Sequence, residues 1–359
     1  MHPAPPRPPA LTAPPVALPA LLVLAGSITS LVGLAWDVQW HGDVGPDTFF
    51  TLPHLFIYSG SAISGLSSLA VVLLVTARQR TGAPPVPGLG GPPVRVVGGR
   101  FTAPVGYLLA GAGAASFLLY GLWDLWWHGL YGFDAAIDSP PHVGLLLSVT
   151  IIMVGSVVVC TAAGDTAWGR AATAVAFAVL FAYSTVTVLG LNGFGGVAVG
   201  SATTLLGVLV LLVAASLRAS TAVAVAAVLA AWQAFSWWFA PAATRWYADV
   251  VGLPLRDGIE QVPATPSLLP VVLLPVALLV GALRGRIPLP VIGAAAGFVL
   301  GVTMPLQLSV INGMEWPDAG STTLSATAGV LAGTVAALLA GGLANALRAA
   351  APAVVGGAR

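Results

Sequence analysis

Long apolar runs alternate with short polar segments along the whole 359-residue chain. Each run has roughly 20 residues, which is the length that an α-helix needs to cross the hydrocarbon core of a bilayer. The runs are too long and too uniformly apolar for barrel strands, and lipid offers no partner to an exposed backbone, so they predict helices. Ten spans are predicted, near residues 16–36, 53–76, 104–127, 141–163, 169–190, 200–217, 221–240, 266–284, 287–308 and 322–347.

The composition agrees with a membrane protein. Charged residues make up only 7% of the chain, against about 25% in soluble domains, and the mean hydropathy is +0.94. We therefore predict an all-α fold, a polytopic integral membrane helical bundle of about ten transmembrane helices. Its principal partner is the lipid bilayer, and no nucleic-acid partner is expected.

The arginines indicate how the bundle is oriented. The chain has no Lys, and if its N-terminus is cytoplasmic, eleven of the thirteen Arg fall inside and only Arg245 and Arg256 fall outside. The acidic residues show the opposite bias, since only Asp165 falls inside. The positive-inside rule therefore predicts that both termini are cytoplasmic. The Ala-, Val-, Gly-, Pro- and Arg-rich composition is typical of a GC-rich bacterial genome, so we expect a multi-pass protein of a bacterial plasma membrane.

The same pattern divides the chain into six segments. They are a disordered Pro-rich cytoplasmic tail (1–15), a first hairpin (16–76), a flexible cytoplasmic linker (77–103), a second hairpin (104–163), a six-helix membrane region (164–347) and a cytoplasmic tail (348–359). The longest outer loop is expected at 241–266. The single Cys160 excludes an internal disulfide and a cysteine metal cluster.

One polar motif occurs twice and contains four of the five His of the chain. The first copy reads WDVQWHGDVGPDTFFTLPH, from Trp36 to His54. The second reads WDLWWHGLYGFDAAIDSPPH, from Trp123 to His142. The copies share two Trp, two Asp, two Gly, the Pro and both His, with one residue inserted before the final Pro-His. Carboxylates and imidazoles at a membrane boundary are costly, and they usually mark a functional site.

The spacing within each copy predicts that three polar side chains converge. The first Asp and the first His are four residues apart, so they share one face of a helix. A loop of about a dozen residues follows, and the second His then begins the returning helix directly after Pro. The two predicted trios are Asp37, His41 and His54, and Asp124, His128 and His142. Two nitrogens and one oxygen suit copper, zinc or non-haem iron.

Other interpretations of these residues stay open. The trios can instead be interfacial anchors, part of a proton or ion path, or hydrogen-bonded clasps between helices, although their duplication favours a metal site. The other acidic residues of the motif are expected to be solvated or to form turns; they are Asp43, Asp47, Asp134 and Asp138. The motif tryptophans are expected in the interfacial belt; they are Trp36, Trp40, Trp123, Trp126 and Trp127.

The first copy, Asp37-x3-His41-x12-His54, resembles the metal-binding motif in the C subunit of copper membrane monooxygenases, the particulate methane and ammonia monooxygenase group. In that family the motif lies on membrane helices near the periplasmic face. The second copy has one more residue before its last His. The resemblance implies copper at the first trio and, by internal analogy, at the second. As an enzyme, the protein is expected to act on small apolar or lipid-like substrates, with copper-dependent oxidation as the most concrete reaction. It identifies no catalytic residue.

Two classes of function remain. The first is a metalloenzyme, either a copper-dependent oxidoreductase or an intramembrane zinc hydrolase. The second is a non-enzymatic protein that binds, senses or transports copper or zinc, although a nearly charge-free membrane interior argues against ion permeation. Other membrane subunits or further copies of this chain are both open as partners. The two hairpins are expected to superpose by rotation about an axis along the membrane normal.

Overall fold

Eleven helices and one short β-hairpin form the part of the chain that the computed structural model describes, residues 15–132, 137–256 and 263–350. The helices are α1 (Ala17–Asp43), α2 (Leu52–Arg80), α3 (Val105–Tyr131), α4 (Pro140–Ala162), α5 (Ala167–Thr187), α6 (Gly196–Leu217), α7 (Ala219–Val251), α8 (Ala264–Ser267), α9 (Leu273–Leu283), α10 (Leu289–Asn312) and α11 (Ala319–Ala350). The strands β1 (Pro93–Val96) and β2 (Phe101–Pro104) are antiparallel. A 3₁₀ turn, Val188–Phe194, joins α5 to α6.

Nine helices of this described part are long and apolar enough to cross a membrane, and only α8 and α9 are too short. The chain is therefore a multi-pass membrane protein with an all-α bundle, as the sequence predicts. The apolar core lies largely among α4, α5 and α6, where Met153, Phe181 and Leu211 are almost fully buried.

The tenth predicted span, near 266–284, is broken into α8 and α9. Pro270 lies in the break, and its ring and missing N–H oppose a continuous helix. The break leaves backbone groups without helical hydrogen bonds, and Gln307 supplies partners for them. Its Nε2 donates to the carbonyls of Ser267 and Leu269, each at 2.8 Å. Its Oε1 accepts from Val271 N at 2.9 Å. A membrane protein tolerates non-helical backbone where other side chains supply such hydrogen bonds.

This broken segment still joins opposite ends of the bundle. Beyond α7, Arg256 N donates to Asp43 O at 2.8 Å, which places that end beside the first motif. Beyond α9, Arg284 donates to Ala215 O and Ser216 O at the far end of α6. A tenth crossing through α8 and α9 stays a prediction. Which end of the bundle faces the cytoplasm also stays a prediction from the arginines.

The two motif-bearing hairpins, α1–α2 and α3–α4, are each closed by close backbone contact at glycine. A Cβ atom on Gly26 would lie 2.5 Å from Gly60 O, and one on Gly155 would lie 2.7 Å from Gly106 O. Neither position has room for a larger residue. The close approach holds the two ends of each motif on neighbouring helices. The rotation expected to relate the hairpins stays a prediction.

The segment at 77–103, expected to be a flexible linker, folds against the bundle instead. It carries β1 and β2, and Thr102 N donates to Thr76 Oγ1 at 3.0 Å. Leu89 is buried in a cluster with Tyr107 and Val159. The Gly and Pro content suggested flexibility, but one apolar side chain and a short strand pair are enough to anchor the segment. The tails expected at 1–15 and 348–359 lie almost entirely outside the described residues.

Helix α7 extends further than the sequence predicts, and it covers the first hairpin. It continues through Pro241 to Val251, whereas the sequence predicts an outer loop from 241. Its Tyr247 ring lies 5.9 Å from Trp36 and 4.9 Å from Trp40, measured between ring centroids. Both tryptophans are therefore buried, and the prediction of an interfacial position is wrong for them. In the second copy, Trp123 and Trp126 are exposed, as a belt position requires.

Candidate metal centre

The first motif folds so that its loop turns back over the end of α1. Trp40 Nε1 donates to Pro46 O at 2.9 Å, and Gly45 adopts a φ of +99°, which favours glycine. His54 lies in the first turn of α2, directly after Pro53. The loop therefore brings Asp47 to the place where α1 and α2 present their polar side chains.

Four side chains meet at this point, which we call the first cluster: Asp37, His41, Asp47 and His54. His54 Nε2 lies 3.0 Å from Asp37 Oδ1 and 3.3 Å from Asp47 Oδ2. His41 Nε2 lies 3.2 Å from the same Asp47 oxygen and 3.8 Å from Asp37 Oδ1. One potential ligand atom from each residue lies within 4.8 Å of all the others.

Asp47 was expected to be a solvated loop acid, and that interpretation is wrong. Its side chain is only 6% exposed and contacts both imidazoles. The signal that could have found it is the repeat, which aligns Asp47 with Asp134. Asp134 lies outside the described residues. Asp43 is also buried and accepts a hydrogen bond from Gln39 Nε2 at 2.9 Å, whereas Asp138 is exposed as expected.

The surroundings of Asp47 favour its ionised form. Burial alone would raise the pKa of this carboxyl, because desolvation disfavours the charge. The hydrogen bond from His41 and the nearby charge of His54 outweigh burial, and they hold the pKa of Asp47 below its usual range. The first cluster thus presents an ionised carboxylate, which is the form that binds a metal.

The second cluster consists of Asp124, His128 and His142. The Nε2 atoms of the two histidines lie 3.2 Å apart. Asp124 Oδ1 lies 3.4 Å from His128 Nε2 and 3.3 Å from His142 Nε2. Asp124 and His128 come from the last turns of α3, and Ser139 caps α4 by accepting a hydrogen bond from His142 N. All six residues predicted from the motif therefore lie in one of two clusters.

Hydrogen bonds on the far side of the rings fix which nitrogen faces each cluster. His54 Nδ1 lies 3.0 Å from Thr48 O, and His128 Nδ1 lies 2.8 Å from Gly132 O. A carbonyl can only accept, so each Nδ1 carries its proton and donates it. Nε2 is then the nitrogen that faces the carboxylates. Without a metal it can donate a proton to them, and in the neutral form it offers a lone pair to a metal ion. Metal-binding histidines are typically oriented in this way, by donating the other N–H to a carbonyl.

The clusters fit a metal ion in geometry and in charge. With metal–nitrogen distances of about 2.0–2.1 Å, a tetrahedral site places two ligand nitrogens about 3.3 Å apart, close to the 3.2 Å between His128 and His142. Asp37 Oδ1 and Asp124 Oδ1 are buried. Among the described residues they face imidazole nitrogens, His54 Nε2 at 3.0 Å and His142 Nε2 at 3.3 Å, and buried carboxylate oxygens need such partners. A divalent cation would satisfy these oxygens and the Nε2 lone pairs together.

Both clusters line one cavity of about 300 Å³, which we call the shared cavity. Its other walls are largely apolar, with Leu34, Ile57 and Leu146 among the lining residues. Two tyrosines, Tyr58 and Tyr183, also line it. The motif predicts two trios but not their position relative to each other, and the structure places them as two clusters facing one space.

Tyr58 is a lining residue that the sequence reasoning missed. It lies four residues after His54, so both side chains project from the same face of α2, and the two ring centroids are 6.0 Å apart. The spacing His54-x3-Tyr58 is a readable signal. The second copy has Leu146 at the corresponding position, so the repeat does not point to Tyr58.

Comparison with known proteins identifies no relative of this chain. No protein family model matches the chain, and no curated protein and no solved structure matches it either. The function is therefore inferred from the chemistry of the two clusters and of the cavity that both of them line.

We expect the substitution Asp47→Asn to weaken metal binding at the first cluster by about 10- to 100-fold or more, because it removes a charged ligand contacting both imidazoles. Competition titration with Cu²⁺ and Zn²⁺ in detergent measures this loss. The matched control is Asp43→Asn, which changes a buried acid four residues away that contacts Gln39 rather than the histidines. Equal effects of the two substitutions would exclude Asp47 as a ligand.

Proposed function

We propose that this chain is a membrane metalloprotein that binds two copper ions, one in each cluster, and oxidises apolar substrates in the shared cavity. The clusters lie on the extracytoplasmic side of the membrane in this proposal. The main observation that supports this proposal is that both clusters line one cavity, and that the remaining walls of this cavity are largely apolar. A protein that only stores or senses a metal has no use for an apolar cavity beside its ligands.

The donor set supports a redox-active transition metal. Imidazole nitrogens with carboxylate oxygens suit copper, zinc and iron alike, and the resemblance of the first motif to the copper monooxygenase subunit favours copper among them. The described ligands of the first cluster, two carboxylates and two neutral imidazoles, carry a net charge of about −2, which balances one divalent ion.

The reaction class that follows is oxygen insertion into a C–H bond. One molecule of O₂, two electrons and two protons are consumed; one oxygen atom enters the substrate as a hydroxyl and the other leaves as water. The electrons come from an external two-electron donor such as a membrane quinol. Bound copper would supply the one-electron chemistry toward O₂. The apolar walls bind the substrate and exclude water, and Tyr58 and Tyr183 supply hydroxyl groups at the cavity wall.

A non-enzymatic copper- or zinc-binding protein is the second candidate, and the first cluster favours it. Four ligands without an open position are typical of structural metal sites, and the first cluster offers four among the described residues. An intramembrane zinc hydrolase is the other enzymatic alternative, with a bound metal activating water. All three candidates need the same ligands, so the metal and its open positions decide between them.

The experiment is metal analysis of the purified, copper-loaded protein, followed by electron paramagnetic resonance with and without azide. We expect about two copper ions per chain and a Cu²⁺ spectrum that azide changes, because a catalytic site keeps a coordination position open. Substrate-dependent oxygen uptake then tests the reaction. Two copper ions with a spectrum that azide leaves unchanged would favour the metal-binding protein. Tight zinc with no copper would exclude the oxidase and leave the hydrolase and a zinc-binding protein.

A further inference from the structure

A large apolar groove runs between α2 and α3 on the membrane-facing side of the bundle. Its volume is about 940 Å³, which is within the range of ligand sites in proteins. It follows α2 from Tyr58 to Val72, which is 15 residues or 14 helical steps, a length of about 21 Å at 1.5 Å per step. Small residues from both helices, including Ala62, Gly65 and Gly111, leave the slot between the helices open.

The groove meets the shared cavity at three aromatic residues. Phe49, Tyr58 and Phe117 line both spaces. The ring centroids of Phe49 and Tyr58 are 5.1 Å apart, and those of Tyr58 and Phe117 are 6.0 Å apart. Tyr58 also lies next to the His54 ring of the first cluster. A molecule lying in the groove therefore has one end beside the rings that border the metal ligands.

The lining of the groove indicates what it can bind. It contains no charged residue among those described, so a charged ligand would be left without a partner, at a large cost. Four lining residues carry hydroxyls, Tyr58, Ser61, Ser68 and Tyr107. The hydroxyl oxygens of Ser61 and Tyr107 are buried and inaccessible from the groove, and Ser68 Oγ donates to Ser64 O of its own helix, so the lining suits an apolar ligand.

We propose that this groove binds a linear alkyl chain dissolved in the bilayer and presents its end to the shared cavity. The proposal rests on the proposed function, because it names the substrate class of the same site. The groove is long and bordered by helices on two sides, which suits an unbranched chain. Its opening to the membrane gives such a molecule a route to the clusters that does not pass through water.

The experiment uses the full-length, copper-loaded protein in lipid nanodiscs and dodecane that carries a diazirine at one end. After photolysis, peptide mapping by mass spectrometry should place the label on groove residues of α2 and α3. Labelling should saturate and be displaced by unlabelled dodecane but not by added phospholipid. Ala62→Phe, which fills the groove from an exposed position, should reduce the labelling about tenfold or more.

The matched control is Ala70→Phe, on an equally exposed alanine of α2 that does not line the groove; its labelling should equal that of the wild type. Ala115→Phe fills the groove from α3 and replaces Ala62→Phe if that variant does not fold.

Copper content measured on the same samples separates the two proposals. Label spread evenly over the lipid-facing helices, displaced equally by phospholipid, or unaffected by both filling variants would overturn the groove proposal even when copper is bound. Saturable groove labelling without bound copper would overturn only the proposed function.

Discussion

Replacing His128 by Ala is expected to empty the second cluster of metal while the first stays loaded, so that bound copper falls from about two ions per chain to about one. His128 supplies one of two nitrogens in a three-residue cluster, with Nε2 atoms 3.2 Å apart. Among the described residues, losing it leaves one imidazole and one carboxylate, which together are a weak site. The reciprocal variant, His41→Ala, should empty the first cluster only. Mass-spectrometric metal analysis of purified protein measures both.

The control for these variants is Asp138→Asn, which changes an exposed acid in the second motif that belongs to neither cluster. It should keep both ions. The histidine variants should also keep the helical circular-dichroism signal of the wild type, because most packing in the bundle is between helices. Unchanged copper in His128→Ala, or equal loss in the Asp138→Asn control, would show that the metal is bound elsewhere.

Replacing Gly297 by Ala is expected to destabilise the bundle by about 2–3 kcal/mol, the cost of overpacking at a contact that cannot relax. A Cβ atom at this position would lie 2.0 Å from Gly329 O on the facing helix. Along the same seam, a Cβ atom on Gly293 would lie 2.3 Å from Gly333 O. Because the obstacle is backbone, α10 and α11 would have to separate. Unfolding in mixed detergent micelles measures the loss.

The matched control is Gly341→Ala on α11, where an added Cβ atom meets nothing within 4 Å. There alanine should be neutral or stabilise the helix by up to about 1 kcal/mol, because it loses less backbone entropy than glycine. Copper content should be unchanged in both variants, since the clusters lie on the α1–α4 hairpins. If Gly297→Ala proved as stable as Gly341→Ala, the close helix contact would be wrong.

The sequence was sufficient to predict most of the bundle and the convergence of the six motif residues in two clusters. Apolar runs locate spanning helices because the bilayer forces backbone hydrogen bonds to be made within each segment. The spacing of Asp37, His41 and His54 predicts convergence because two residues share a helix face and a short loop returns the third. The same reasoning holds for the second trio. Both clusters are formed by residues close together in the sequence, through the spacing on one helix and the short loop to the next. The sequence of each motif is therefore enough to predict them.

Features that depend on contacts between distant segments were not predictable. Asp47 enters the first cluster only because the loop folds over α1, held by Trp40. Trp36 and Trp40 are covered by Tyr247 because α7 continues past Pro241 and packs on them. The break near Pro270 is stabilised by Gln307, nearly forty residues further along. In each case the deciding partner is remote in sequence.

A structure of the copper-loaded protein with anomalous scattering at the copper edge tests the central claim most directly. We predict two copper peaks per chain, one about 2.0–2.1 Å from the Nε2 atoms of His41 and His54, and one at the same distance from those of His128 and His142. Both peaks should border the shared cavity. Copper bound away from both histidine pairs, or a loaded structure in which His41 and His54 lie more than about 10 Å apart, would contradict the account.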